Sequence, residues 1–298
     1  MALAHRKTAT AVASGDAAVV EPAREFAFSD NDFHALARFA YEHAGIALSD
    51  SKRNLVYSRL SRRLRLLGLT SFRQYRDYLS ANTAELEGFL NAISTNLTKF
   101  FREAHHFDHF RSHVAAPFAQ KAGRMACRRL RVWSAGCSTG EEPYTIAVVL
   151  KHEIDDVHRH DVRILATDID TDVLGKAARG LYPASSLNEV PKSYWEFFEP
   201  VDAGGQAKNV MVSDDVRALV AFRRLNLMDA WPFGGSFDAI FCRNVMIYFD
   251  AATKAALVER LTQKLVPGGW LYIGHSESLL GAHPGLQLAG RTTYRRDQ

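Results

Sequence analysis

No stretch of the 298 residues approaches the roughly 18 consecutive apolar positions that a membrane-spanning helix needs, so membrane insertion is not expected. Cysteine is scarce. Cys127, Cys137 and Cys242 are odd in number and far apart, with no CxxC pair and no histidine at ligand spacing, which speaks against a disulfide framework and a structural zinc alike. The first residues lack the charged, apolar and small-residue succession of a secretory signal, and the expectation is a protein made and kept in the cytosol. A GxGxxG signature is also missing, which turns attention away from dinucleotides. What remains, 47% hydrophobic and 23% charged, suits one large core with a small second domain.

The formal net charge of +4 is mild, but it is localised. Between residues 50 and 80, Lys52, Arg53, Arg59, Arg62, Arg63, Arg65, Arg73 and Arg76 stand against only Asp50 and Asp77, so an acidic partner is expected there.

Residues 1–26 are rich in Ala, Thr and Ser without periodicity and read as a disordered tail. Residues 27–95 change character. Asp30 can cap a helix with Phe33, Leu36 and Ala40 at helical spacing, and Gly45 supplies its stop. A second helix from about Lys52 to Leu67 sets Val56, Leu60, Leu64 and Leu67 on one stripe, with Arg59, Arg62 and Arg65 on a neighbouring face. A third opens with Asn82 and Glu85 in capping-box spacing and buries Leu86, Phe89, Leu90 and Ile93. The segment is expected to be a small all-helical domain.

After Arg129 strands and helices alternate. Strands are expected at Leu130–Ser134, Val162–Thr167, Val220–Leu225, Phe237–Arg243 and Trp270–Gly274, and helices at Glu142–Leu150, Thr171–Ala178 and after Asp250, the last ended by Gly268 and Gly269. This predicts an α/β fold: a Rossmann-like, mostly parallel sheet over residues 96–298, with ligands at the carboxyl ends of its strands. Residues 181–219 are too long for a simple crossover and predict a small antiparallel β-subdomain, while residues 286–295 suggest a terminal strand.

Two features speak of a ligand. Gly136 and Gly140 follow the first strand, where absent side chains let a ligand approach the backbone, and the acids Glu141 and Glu142 come next. A glutamate there suits a cationic ligand better than a pyrophosphate, although acids favour helix N-termini in any case. Asp168 ends the second strand, where an acid accepts hydrogen bonds from ribose hydroxyls, whereas Asp170 and Thr171 suit helix caps. A glycine turn plus a second-strand acid, without phosphate-binding features, favours S-adenosylmethionine.

Four blocks carry a closer likeness: Asn96-Leu97-Thr98-Lys99-Phe100-Phe101-Arg102-Glu103; Trp133-Ser134-Ala135-Gly136 with Gly140-Glu141-Glu142-Pro143-Tyr144; Ala166-Thr167-Asp168-Ile169-Asp170; and Phe241 to Asp250, reading FCRNVMIYFD. In this order and spacing the chain resembles the CheR family of chemotaxis receptor glutamate methyltransferases from about residue 30 onwards. The resemblance implies a class I methyltransferase sheet that binds S-adenosylmethionine and releases S-adenosylhomocysteine, with glutamate side chains on the cytoplasmic helices of chemotaxis receptors as substrate.

Carried over by position, it implies that Asn96, Thr98, Arg102, Glu142 and Asp168 contact the cofactor, that Asn226 and Leu227 flank the adenine, and that Cys242 and Arg243 close the site. Arg102, Arg243 and Tyr248 become the catalytic candidates, with Tyr248 positioning the substrate carboxylate and Arg243 steering it. His105 and His106 also resemble family residues and are read as structural, with no metal cluster expected around them. Arg59, Arg62 and Arg65 become a stripe for the acidic receptor helices, which implies recruitment to membrane receptor arrays. In some members the β-subdomain binds a peptide at the receptor's C-terminus through a Gly-x-Gly-Pro loop, where this chain has Asp202-Ala203-Gly204-Gly205-Gln206.

Two other readings share the fold. A nucleic-acid methyltransferase would explain the basic domain, but the chain has Arg-Asn-Val-Met-Ile-Tyr in place of an Asn-Pro-Pro-Tyr loop, and the basic segment offers few aromatics for stacking. A non-catalytic sensor of S-adenosylmethionine would have no need of Arg102, Arg243 and Tyr248.

Overall fold

The structure, a computed structural model, describes residues 24–122, 127–201, 208–279 and 283–297. The expected tail falls outside these residues for positions 1–23, as does the glycine-bearing segment 202–206.

Four helices rather than three form the N-terminal part: α1 (Asp30–Ala44), α2 (Arg53–Leu67), α3 (Phe72–Ala81) and α4 (Thr83–Ile93). Ser29, not Asp30, caps α1. Its hydroxyl accepts from the Asp32 amide while the Asp32 carboxylate accepts from the Ser29 amide. Gly45 ends the helix at φ +68°, donating to the Tyr41 carbonyl. The unanticipated α3 is capped by Ser71 and buries Phe72, Tyr75 and Leu79. At α4 the expected capping box does not form. Glu85 turns inward to Arg63 (Nε to Oε1, 3.0 Å) and the Tyr75 hydroxyl (2.9 Å), because two charge-assisted bonds in a buried setting outweigh one bond at an exposed helix start. Phe33, Leu36, Val56, Leu60, Leu64, Phe72, Tyr75 and Phe89 close a core of their own.

A helical passage then crosses to the second domain: α5 (His105–Phe110), a wide turn over Arg111–Ala115, and α6 (Ala116–Ala122). The α/β part follows as β1 (Arg129–Ala135), α7 (Glu141–Glu153), β2 (Asp161–Asp168), α8 (Thr171–Arg179), β3 (Leu181–Pro183), β4 (Phe198–Pro200), β5 (Asn209–Val212), α9 (Asp214–Arg217), β6 (Val220–Arg224), β7 (Phe237–Cys242), α10 (Ala251–Lys264), β8 (Leu265–Ile273), β9 (Leu286–Gly290) and β10 (Thr293–Arg296).

Seven strands make one sheet in the order β6-β2-β1-β7-β8-β10-β9, parallel from β6 to β8, with β10 antiparallel to β8 and β9 antiparallel to β10. Strand alternation sorts the core. Val132, Phe241 and Tyr272 face α5, α6 and α7, whereas Trp133, Ile240, Cys242 and Leu271 face α10. The expected excursion is a three-stranded antiparallel sheet, β3-β5-β4. Two expectations change. Gly268 and Gly269 lie inside β8 rather than ending α10, since the chain enters the strand directly at Leu265, and the single terminal strand is a hairpin, β9 with β10.

The helical domain is fastened to the carboxyl edge of this sheet. The Tyr41 hydroxyl donates to Asp250 (2.7 Å), the Ala47 amide to the Tyr248 carbonyl (2.8 Å), Asn226 to the His43 carbonyl (2.7 Å) and Asn91 to Thr171 (2.9 Å). No helix among the described residues is long and apolar enough to cross a membrane.

Candidate active site

Between the two domains lies a cleft of about 390 Å³, walled on one side by Ala44 to Leu55 and on the other by loops at the ends of β1, β2, β6 and β7. Its position follows from topology, since parallel strands deliver their loops to one edge.

Gly136 opens the β1–α7 loop at φ +81°, and a Cβ there would sit 2.3 Å from Val245 Cγ2, so only glycine lets the two loops approach. Strained backbone gathers here. Among the described residues six non-glycines have positive φ, and four of them (Phe101, Glu103, Ser138 and Asn244) belong to the loops around the cleft.

Asp168 is buried at the end of β2, one carboxylate oxygen accepting from the Ser138 amide (2.8 Å) and the other from the Asp170 amide (3.0 Å). Burial pushes its carboxyl above the ordinary range, against the pull of those amides. Asp170 caps α8 through the amides of Asp172 and Val173 and accepts from Asn96 Nδ2 at 2.6 Å, which locks the Asn96–Thr98 segment against β2. The Ser138 hydroxyl donates to the Asn96 carbonyl (2.9 Å) and completes the lock.

Glu142, at the start of α7, accepts from the Ser134 hydroxyl (2.7 Å) and from Arg243 (3.1 Å). Burial raises its pKa despite the arginine. Four contacts hold Arg243: it pairs with Glu142, lies 3.3 Å from Glu103, donates to the Arg102 carbonyl, and rests over the Phe107 ring. Burial works to raise the Glu103 pKa, but the Arg243 charge and the His275 contacts prevail and hold it at about 2. Arg243 is thus neutralised in place, a different setting from the steering role expected of it.

Arg102 donates to the Leu97 carbonyl (2.7 Å), and no carboxylate pairs with it among the described residues. The Tyr248 hydroxyl donates to the Thr95 carbonyl (3.2 Å), and burial raises its pKa, so it stays a proton donor at neutral pH.

Of the expected cofactor residues, Asn96, Thr98, Arg102, Glu142, Asp168, Asn226, Leu227 and Arg243 line this one cleft together with Tyr248. Cys242 does not. It is wholly buried in the core beneath α10, and only its neighbour Arg243 reaches the cleft. On α2, Arg62 and Arg65 are exposed, Arg65 paired with Glu25 (2.6 Å), whereas Arg59 turns inward and donates to the carbonyls of Ile93 (2.8 Å) and Ser94 (2.5 Å) at the end of α4. Glu103, His105 and His106 bring one ligand atom each within 4.8 Å of one another, contrary to the expectation of no cluster. The Arg243 guanidinium already supplies the positive charge at Glu103, which disfavours a divalent cation there.

One residue was missed. Glu277 is buried and accepts from the amides of Asn244 (2.8 Å), Gly274 (2.7 Å) and Ile247 (3.1 Å), so it anchors the turn that carries Tyr248. The only hint in the sequence is an acid following the final core strand.

Residues 96–295 match the family model described as CheR methyltransferase, SAM binding domain, and residues 31–94 match CheR methyltransferase, all-alpha domain. The chain belongs to the CheR methyltransferase family. Chemotaxis protein methyltransferase 2 of Pseudomonas aeruginosa is 43% identical over 272 residues, 91% of this chain and 95% of that protein. A probable chemotaxis protein methyltransferase of Rhizobium etli is 44% identical over 259 residues, covering 86% and 96%, and the chemotaxis protein methyltransferase of Escherichia coli is 39% identical over 279, covering 93% and 94%.

This CheR chain is accordingly an S-adenosylmethionine-dependent methyltransferase, and its cleft suits that cofactor: the volume is in the range of small-molecule sites, the glycine loop leaves the backbone open, and the wall presents Glu142 and Asp168 rather than a phosphate cradle.

Proposed function

We propose that this protein transfers the methyl group of S-adenosylmethionine to glutamate side chains of chemotaxis receptors, forming glutamate methyl esters. Residues 27–95 serve as the receptor-recognition domain and residues 96–298 as the catalytic domain.

The observation that carries this reading is the absence of a free base at the cleft. Among the described residues lining it, the acids Glu142 and Asp168 are both occupied, by Arg243 and Ser134 and by backbone amides, while Arg102 and Tyr248 are donors. An amine or hydroxyl acceptor would need a group to take its proton. A glutamate, with an ordinary pKa of about 4.3, arrives ionised and needs none.

When bound, S-adenosylmethionine supplies an electrophilic methyl group on a sulfonium. Glu142 and Asp168 offer negative charge and acceptors to a cationic ligand, with Asn96, Thr98, Asn226 and Leu227 around them. Arg102 and Tyr248 orient the incoming carboxylate by charge-assisted hydrogen bonds. With the cofactor bound, its sulfonium would give up the methyl group to the carboxylate oxygen and keep the electron pair as a thioether, and because the acceptor arrives ionised no residue of the cleft has to take up a proton.

Incubation with methyl-labelled cofactor and receptor-bearing membranes, followed by base, tests this. Carboxyl methyl esters release volatile labelled methanol, and label that stays bound under base would refute the glutamate reading.

A further inference from the structure

Nine large apolar side chains are exposed among the described residues, and two of them, Leu97 at 80% and Ile247 at 48%, line the cofactor cleft. Neither is loosely placed. The Leu97 carbonyl is held by Arg102 (2.7 Å), and the Ile247 amide is held by the buried Glu277 carboxylate (3.1 Å). The hydrogen bond from Tyr248, the neighbour of Ile247, to Thr95, two residues before Leu97, ties the two segments together. Two exposed aliphatic side chains are thus carried into the cleft lining by the segments that the tyrosine joins.

We propose that Leu97 and Ile247 form an apolar collar that takes up the aliphatic stem of the methyl-accepting side chain and excludes water from its carboxylate. This inference rests on the glutamate reading above and says which groups grip that side chain. Such an acceptor has two chemically different parts. Its charged end suits Arg102 and Tyr248, and its methylenes need an apolar surface, which the exposed Leu97 and Ile247 add at the cleft lining. Lys52 also lines the cleft and adds positive charge. Closing the collar over the stem removes water from the attacking oxygen and strengthens its contacts with Arg102 and Tyr248 in the lowered dielectric. Because Arg243 is already neutralised by Glu103 and Glu142, the exclusion of water carries more of the orienting effect.

The test uses the full chain with Leu97→Ala, Ile247→Ala, the double variant and the apolar control Leu97→Met. Affinity for S-adenosylhomocysteine and binding of a receptor cytoplasmic fragment with that product present are measured by calorimetry, and kcat/KM for methylation of the fragment is measured alongside. The double variant is expected to hold S-adenosylhomocysteine within about twofold of the native protein, while kcat/KM falls roughly 30-fold, since only part of the removed carbon meets the stem, and Leu97→Met keeps most of the native value. A double variant whose kcat/KM stays within about threefold of native would overturn the collar. Loss of S-adenosylhomocysteine affinity would overturn it too, by assigning the two residues to the cofactor. If the native protein leaves no base-labile methyl on the fragment, the glutamate reading fails separately. The binding arm then decides: weaker fragment binding by the double variant supports the collar, and equal binding, or none by the native protein, refutes it.

Discussion

The guanidinium of Arg243 meets the carboxylate of Glu142 at 3.1 Å inside the cleft wall, the arginine side chain only 2% exposed. A second acid, Glu103, approaches the same guanidinium at 3.3 Å. Two acids and one base in so dry a place form a unit that tolerates removal of its centre badly.

Arg243→Met leaves two carboxylates without their counter-charge. Stability is expected to fall by about 3–5 kcal/mol in urea unfolding, the usual result of breaking a buried pair from one side. Adding Glu142→Gln to that variant relieves part of the loss, so the two substitutions together cost less than their sum. Additive losses would show that the pair does not couple.

The same neighbourhood sets a pH dependence. Burial, then the charges of Arg243 and His105, lower His106 from 6.5 to about 3, and Glu103 is held at about 2 against an ordinary 4.5. Both groups bind a proton more readily unfolded than folded, so stability rises with pH. It is fully present above pH 6.5, declines through His106 between 6.5 and 3, and declines further through Glu103 between 4.5 and 2. In melts across this range His106→Leu removes the part of the slope between pH 6.5 and 4.5 that His106 supplies, and an unchanged slope would refute the assignment.

Tyr248→Phe removes a donor and little volume. Turnover is expected to drop roughly 10- to 100-fold, the worth of one hydrogen bond to a charged group, with cofactor affinity within about twofold. An unchanged kcat would take Tyr248 out of the mechanism.

Glu277→Gln replaces one carboxylate oxygen by a donor facing backbone amides. A loss of about 1–3 kcal/mol in stability is expected, with a fall in turnover at near-native cofactor affinity, because the turn bearing Tyr248 loses its anchor. Thermal melts and steady-state rates distinguish this from a purely structural role, which would lower stability and leave the rate of the folded fraction intact.

On α2 the three arginines separate. Arg62→Glu with Arg65→Glu is expected to weaken receptor methylation and spare S-adenosylhomocysteine binding. Arg59→Ala is expected to lower cofactor affinity, because the carbonyls it holds precede Asn96. Equal behaviour of all three would restore the simple stripe.

The sheet was legible because its strands alternate or run apolar between glycines and acids, and Asp168 and Gly136 sit where any such sheet places its ligand. Helix α3 carried its signal, Ser71 ahead of Phe72, Tyr75 and Leu79, but Arg73, Arg76 and Asp77 stand between those positions and weaken the apolar periodicity. Glu85 and Glu277 were not legible. Their work depends on Arg63 and Tyr75, and on the amides of Asn244 and Ile247, partners that only folding brings near. Gly268 misled for a local reason: at φ +76° it serves an irregular strand as readily as a helix end.

Arg59 reaches from the outer basic helix to the last carbonyls of α4, a few atoms from the segment that begins at Thr95. Through that one side chain the outer basic helix is tied to the stretch that leads into Asn96 on the cleft wall.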